Sequence, residues 1–367
     1  MEIGAAGPVT IEAGGDGEGL RLVSATLLPH RALMLYQLTA WAPRLGAVDV
    51  LASPPLAEGL RRLDGGPGDI DGGASFSMGG AFALPFVNRL RGRPVAGTQL
   101  IETRIDGREV RLPATRGGER PGAERYAIHG LMRTQRLADL ARNDLPGGGV
   151  RLTARLAAGD FDGRWPSRTE VAFDMRLTPV AFEARIRAAN VGGEILPMAI
   201  GWHPYFRIPS GRRGPARLRI PAAARLPVND YDEVLPTGAI LPVEGTPYDY
   251  ALFGGRELGE TYLDDCFTGL QRSATGDLVC ELVDPAAGYG LRLASPSPEV
   301  IAVQAYAPPA HAFVAIEPQT SFADPYGEEW GAERTGARLL QPGEALEYRV
   351  RIELFASADG DDYMVKP

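Results

Sequence analysis

Apolar and polar residues alternate along this chain with a period of two far more often than they form a helical stripe. From Val171 to Leu177 the apolar residues Val171, Phe173, Met175 and Leu177 enclose Asp174 and Arg176, the pattern of a strand buried on one face. Val180, Phe182, Ala184, Ile186 and Ala188 repeat it around Glu183, Arg185 and Arg187. Thr178-Pro179 stands between the two runs where a tight turn belongs, so the pair predicts a hairpin. The C-terminal run is sharper still, with Leu346, Tyr348, Val350, Ile352 and Leu354 set against Glu347, Arg349, Arg351 and Glu353. Shorter alternations around Leu218 to Ile220, Tyr289 to Leu293 and Val300 to Tyr306 predict further strands, and only Leu56 to Leu63 reads as a short helix or turn.

Many short strands punctuated by turn residues predict an all-β chain of antiparallel sheets packed face to face. The 46 glycines and 31 prolines are spread without a period and supply the turns. The glycine-rich stretches Gly65 to Gly80 and Gly117 to Gly130 read as long loops leading into strands. Nothing resembles a linker. One domain is expected over residues 20–355, preceded by a segment at 1–19 that could supply a first strand. A tail follows at 356–367, acidic and turn-like from Asp359 to Pro367.

A net charge of −8 and the absence of a basic run argue against a nucleic-acid partner. No stretch approaches the ~20 apolar residues of a membrane span, and Met1 to Gly19 lacks the basic start and apolar core of a signal peptide. These features predict a cytoplasmic protein, monomer or homodimer, acting on a small neutral ligand. Cys266 and Cys280 have no histidine or further cysteine at ligand spacing. They read as free thiols, with no metal site and no cofactor expected.

The candidate chemistry starts at Gly201-Trp202-His203-Pro204-Tyr205-Phe206, which fixes one of four histidines between aromatic rings and a proline. Imidazole titrates near neutrality and can serve as acid in one half of a reaction and base in the other. Its best partner is Glu317, after the apolar run Phe313 to Ile316, because a carboxylate ending a buried strand is costly unless something pairs or uses it. Each also has a plainer reading. His203 could be a hydrogen-bonded core histidine, and Glu317 could be paired with an arginine.

Five segments stand out together: Pro85 to Arg91 with Asn88-Arg89, Tyr126 to Leu131 with His129-Gly130, the hexapeptide around His203, Tyr262 to Phe267 with Leu263-Asp264, and Glu317-Pro318-Gln319. In that order, from about Leu20 to Phe355, they resemble the aldose 1-epimerase (mutarotase) family. The resemblance implies an antiparallel β-supersandwich with a sugar cleft on one sheet, where anomers of a free monosaccharide interconvert. It further implies that Glu317 is the base, His203 the acid, and that Arg89, His129 and Asp264 bind substrate, with Asn88 orienting the arginine.

The chemistry fits that pairing. Opening a cyclic hemiacetal removes the C1 hydroxyl proton and protonates the ring oxygen, so a carboxylate and an imidazolium supply both transfers. From reference values of about 4.3 and 6.5, Glu317 is expected ionised at neutral pH, and His203 partly protonated beside it. Trp202, Tyr205 and Phe206, and also Tyr306, could cover a sugar's C–H face. Strand alternation sends Asp264 and its neighbour Asp265 to opposite faces, and Asp265 is expected to be a solvated turn residue. Arg91 and Arg93 compete with Arg89, two of the three being expected as surface charge. His129 could merely fix a loop, and His30 and His311 read as exposed loop residues.

Two other functions share these residues. Arg89, Arg91, Arg93 and Arg133 near the motifs would suit an epimerase of a phosphorylated or otherwise anionic sugar. A non-catalytic sugar-binding protein could keep the same fold, since fold alone does not establish chemistry.

Overall fold

The structure, a computed structural model, describes residues 2–4, 7–15, 19–114, 116–118, 120–137 and 139–357. Its alternating segments assemble into two large antiparallel sheets. The first has ten strands in the order Glu2–Gly4, Asp139–Leu145, Gly149–Gly159, Thr169–Leu177, Ala181–Asn190, Ala345–Ala356, Tyr289–Ser295, Leu278–Asp284, Arg217–Arg219 and Arg256–Glu257. The predicted hairpin forms, with Val171 opposite Ala188 and Leu177 opposite Phe182. The C-terminal alternation pairs with its second strand, Ile186 facing Tyr348.

The second sheet has eleven strands, and its path runs Val9–Glu12, Arg21–Leu28, Met34–Ala42, Gly80–Ala83, Gly201–Arg207, Phe313–Gln319, Ala302–Ala307, Leu263–Leu270, Ala222–Leu226 and Leu241–Pro242. Gly46–Asp49 pairs alongside Met34–Ala42. This is the expected antiparallel β-supersandwich. Phe173, Ile186 and Tyr348 of the first sheet share one buried cluster with Trp202, Phe206 and Ile316 of the second. The Tyr348 hydroxyl donates to the Pro318 carbonyl at 2.8 Å and ties the layers together. Each such side chain removed from water contributes about 1.5–3 kcal/mol.

The opposite face of the eleven-stranded sheet carries smaller pieces. A three-stranded sheet of Arg116–Gly117, Arg125–Ile128 and Arg89–Arg91 stands over its centre. Beside it lie the predicted helix, Leu56–Arg62, and the turns of Ile70–Ser77. Two satellite clusters flank this face, one around Tyr36, Met78, Ala81 and Val87, the other around Cys266, Ala302, Phe322 and Trp330. Both cysteines are free, as expected, and both are buried. No helix among the described residues is long and apolar enough to cross a membrane. The tail expected from Asp359 to Pro367 lies outside the described residues.

Candidate active site

Pairing register writes the site across the sheet. Ala81 faces His203, Gln304 faces Glu317 and Cys266 faces Gln304. Gly201 faces Gln319 and Tyr205 faces Ala315, which sets His203 opposite Glu317 on the neighbouring strand. One row therefore reads Ala81, His203, Glu317, Gln304, Cys266, with three polar residues between the two apolar satellite clusters. Two residues along each strand the same face presents Tyr205, Ala315, Tyr306 and Asp264. Directly opposed side chains on antiparallel strands come within reach of each other. His203 Nε2 indeed lies 3.2 Å from Glu317 Oε1.

The small sheet above supplies the rest. Its Arg89 donates to Asn88 Oδ1 at 2.8 Å, and Asn88 Nδ2 donates to Gln304 Oε1 at 3.1 Å. Gln304 Nε2 donates to Asp264 Oδ1 at 2.6 Å, and Arg89 Nη2 closes the ring at 3.7 Å from Asp264 Oδ2. Asn88 and His129 both adopt left-handed backbone conformations, φ 51° and 57°, and the His129 amide donates to the Asn88 carbonyl at 2.8 Å. The His129 ring stacks on Phe76 and meets His203 edge-on, with centroids 4.5 and 4.9 Å apart. All six residues singled out from the sequence line one cavity of about 400 Å³. That volume lies within the about 300–1,000 Å³ of small-molecule sites.

Burial works against the expected ionisation. Desolvation, reinforced by Asp264 and opposed by Arg89, holds the Glu317 carboxyl well above the ordinary carboxylate range. Desolvation, with Arg89 adding to it, pulls His203 down to about 3. Both shifts favour the uncharged forms, a carboxylic acid beside a neutral imidazole. His129 is pushed down by burial and by His203, and the Asp264 carboxyl is raised by burial against the pull of Arg89 and Gln304.

Several expectations need correction. Trp202 and Phe206 point into the sandwich core with the alternate residues of their strand, so of that aromatic trio only Tyr205 lines the cavity, together with Tyr306. The Tyr205 hydroxyl donates to the Phe76 carbonyl at 2.6 Å and anchors the Ile70–Ser77 segment. Asp264 is the carboxylate in the cleft, but Asp265 is not solvated. It is fully buried, accepting from Arg225 at 2.7 Å and from the Tyr231 hydroxyl at 2.9 Å. Arg91 is no loose surface charge either, because it binds Glu329 at 2.8 Å and the Pro236 carbonyl at 2.9 Å. Arg93 is exposed, and both lie on a different cavity. His311 is exposed as expected, whereas His30 is half-buried on a short turn.

Sequence reasoning missed Gln304, Phe76, Tyr231 and Tyr262, which also line the cavity. Gln304 had a signal, as the lone amide within the apolar strand Ala302–Ala307. Tyr262 opens the quoted segment Tyr262 to Phe267, whereas Phe76 and Tyr231 had no signal, since they reach the cleft through tertiary placement.

Comparisons with known proteins bear on the family and the fold. The family model described as aldose 1-epimerase matches residues 73–353. A galactose mutarotase-like protein from Clostridium acetobutylicum superposes with a TM-score of 0.74 at 14% identity, covering 95% of each chain. An aldose epimerase homologue from C. elegans gives 0.67 at 17% identity, over 96% of this chain and 100% of its own. Galactose 1-epimerase from Lactobacillus acidophilus gives 0.64 at 14% identity, over 96% of this chain and 99% of its own. At such identities these likenesses show the fold. No curated protein matches the chain.

Proposed function

The chain belongs to the aldose 1-epimerase family, and from that premise we propose that it interconverts the α and β anomers of an aldose, with Glu317 and His203 as the proton carriers. The observation that carries this reading is their opposition on neighbouring strands, 3.2 Å apart on the wall of a cavity of monosaccharide scale. In this reading the pair shares a single proton. Its shift from Glu317 Oε1 to His203 Nε2 yields the carboxylate and imidazolium that ring opening requires, Arg89 favouring the carboxylate and opposing the imidazolium.

The steps then balance without a cofactor. Glu317 takes the proton from the C1 hydroxyl as the C1–O5 bond breaks and C1 becomes a carbonyl. His203 delivers its proton to O5. Rotation about C1–C2 presents the other carbonyl face, and closure returns both protons to their donors. Asp264 offers acceptors to sugar hydroxyls, while Arg89 and His129 offer donors, a set suited to a polyol. The Arg89–Asn88–Gln304–Asp264 ring holds these groups in place before substrate arrives.

Polarimetry of freshly dissolved α-D-glucose and α-D-galactose tests the proposal. The protein is expected to hasten equilibration, and Glu317→Gln and His203→Ala are each expected to abolish most of the gain. Tight sugar binding without any acceleration over buffer would instead favour the non-catalytic reading.

A further inference from the structure

A second cavity, of about 580 Å³, adjoins the sugar cleft, and Phe76, Ser77, Arg116, Ile128 and His129 line both. Four guanidinium groups face it, those of Arg61, Arg62, Arg116 and Arg133, against the single lining carboxylate of Asp64. Glu58 pairs with Arg62 and Asp71 acts on Arg133, so four positive charges meet three negative ones. Among the described residues neither Arg61 nor Arg116 has an ion-pair or hydrogen-bond partner.

Arg61 and Arg62 occupy the last turn of the Leu56–Arg62 helix, where a cation complements the helix dipole without any ligand. That explanation does not extend to Arg116 and Arg133, which come from two other segments and converge on the same space. Arg133 is 4% exposed, and its Nη1 donates to the Ile128 carbonyl at 2.8 Å. Burial draws its guanidinium down to about 10, and the pull of Asp71 and Asp69 offsets this only in part. Asp69 is itself paired with Arg31. A buried guanidinium lacking its own carboxylate is costly unless an anion joins it. In a chain of net charge −8, a local excess of arginines from three segments is a feature to be explained.

Resting on the epimerase reading, we propose that this arginine-lined cavity receives a phosphate monoester carried by the sugar whose anomeric carbon lies at His203 and Glu317. A phosphate brings two charges and three acceptor oxygens, which the forked donors of several arginines match better than one carboxylate would. The site is distinct from Arg89, which remains in the ring around Asp264. It also differs from the arginines that the motifs suggested, because Arg91 and Arg93 line another cavity and only Arg133 is shared.

The test compares mutarotation of α-D-glucose, α-D-glucose 6-phosphate and D-glucuronate by the native protein and by Arg61→Ser/Arg62→Ser. The native protein is expected to favour the phosphate ester over glucose in kcat/KM by on the order of tenfold or more, the effect of charge-assisted hydrogen bonds. The double variant is expected to lose that preference while its rate on glucose is unchanged. Equal kcat/KM for the ester and glucose, or a preference that survives the double substitution, overturns the proposal. A gain shared equally by glucuronate overturns its assignment to phosphate. If no sugar is equilibrated, the epimerase reading fails on its own, and calorimetry with inorganic phosphate then decides the cavity. Binding by the native protein that the double variant loses supports an anion site, and no binding by the native protein refutes it.

Discussion

Glu317→Gln exchanges a buried carboxyl for an amide of nearly the same shape, and its effect on stability should depend on pH in a direction the site fixes. In the unfolded chain the carboxyl ionises around its ordinary value of 4.5, whereas in the folded protein burial holds it well above that. A folded-state pKa above the unfolded one means that the folded form keeps its proton longer. The resulting stability is whole below pH 4.5 and is lost as pH rises. Each pH unit of such a gap costs about 1.36 kcal/mol. Between pH 4.5 and that raised value the native protein loses stability that the variant does not.

His203 gives the opposite slope. Its folded pKa of about 3 lies below the ordinary 6.5, so its contribution is present above pH 6.5 and is lost as pH falls. In the native protein the two slopes oppose each other. In the variant only the histidine slope remains. Urea unfolding at pH 4.5, 5.5 and 6.5 measures both proteins. The variant is expected to gain about 2 kcal/mol between the lowest and highest pH from its histidine slope, and the native protein less. A difference that stays constant would mean that Glu317 ionises in the fold as it does in the unfolded chain, refuting the protonated-carboxyl account.

Three further outcomes follow from other parts of the site. Asp264→Asn removes the charge shared by Gln304 and Arg89 and is expected to raise KM by roughly ten- to hundredfold, read from initial polarimetric rates; an unchanged KM would remove Asp264 from sugar binding. Asp265→Ala strands Arg225 and leaves the Tyr231 hydroxyl without this acceptor, at a cost of about 3–5 kcal/mol in urea unfolding; a loss under about 1 kcal/mol would show that the buried pair contributes little. Gly130→Ala forces a side chain into φ +75° with its Cβ 2.2 Å from the Leu84 carbonyl oxygen. It is expected to destabilise by more than about 1 kcal/mol, since the clash adds to the strain of the left-handed backbone; native-like unfolding would show that the turn beside His129 relaxes freely.

Much of the fold was legible because strand alternation is a local property. The hairpin of Thr169–Leu177 and Ala181–Asn190 follows from its own residues, and so does the C-terminal strand. The site was legible where a polar side chain interrupts an apolar strand, as His203 and Glu317 do. The same alternation could have placed Trp202 and Phe206 in the core, since Trp202 stands just before His203 and Phe206 just after its cavity-facing neighbour Tyr205. What burial does to a charge is not local. The ionisation of Glu317 and His203, the sequestration of Asp265 and the capture of Arg91 by Glu329 all depend on segments far away in the chain. The arginine cavity likewise gathers Arg61, Arg116 and Arg133 from elements that no motif connects.

The central claim is that Glu317 and His203 together open and close a sugar ring. Exchange NMR on an equilibrated mixture of glucose anomers observes that step directly, as transfer of magnetisation between the α and β C1 protons. The account predicts transfer with the native protein that collapses toward the buffer rate in both Glu317→Gln and His203→Ala. Transfer at the native rate in either variant would contradict it, as would a native protein that binds the sugar and leaves the exchange at the buffer rate.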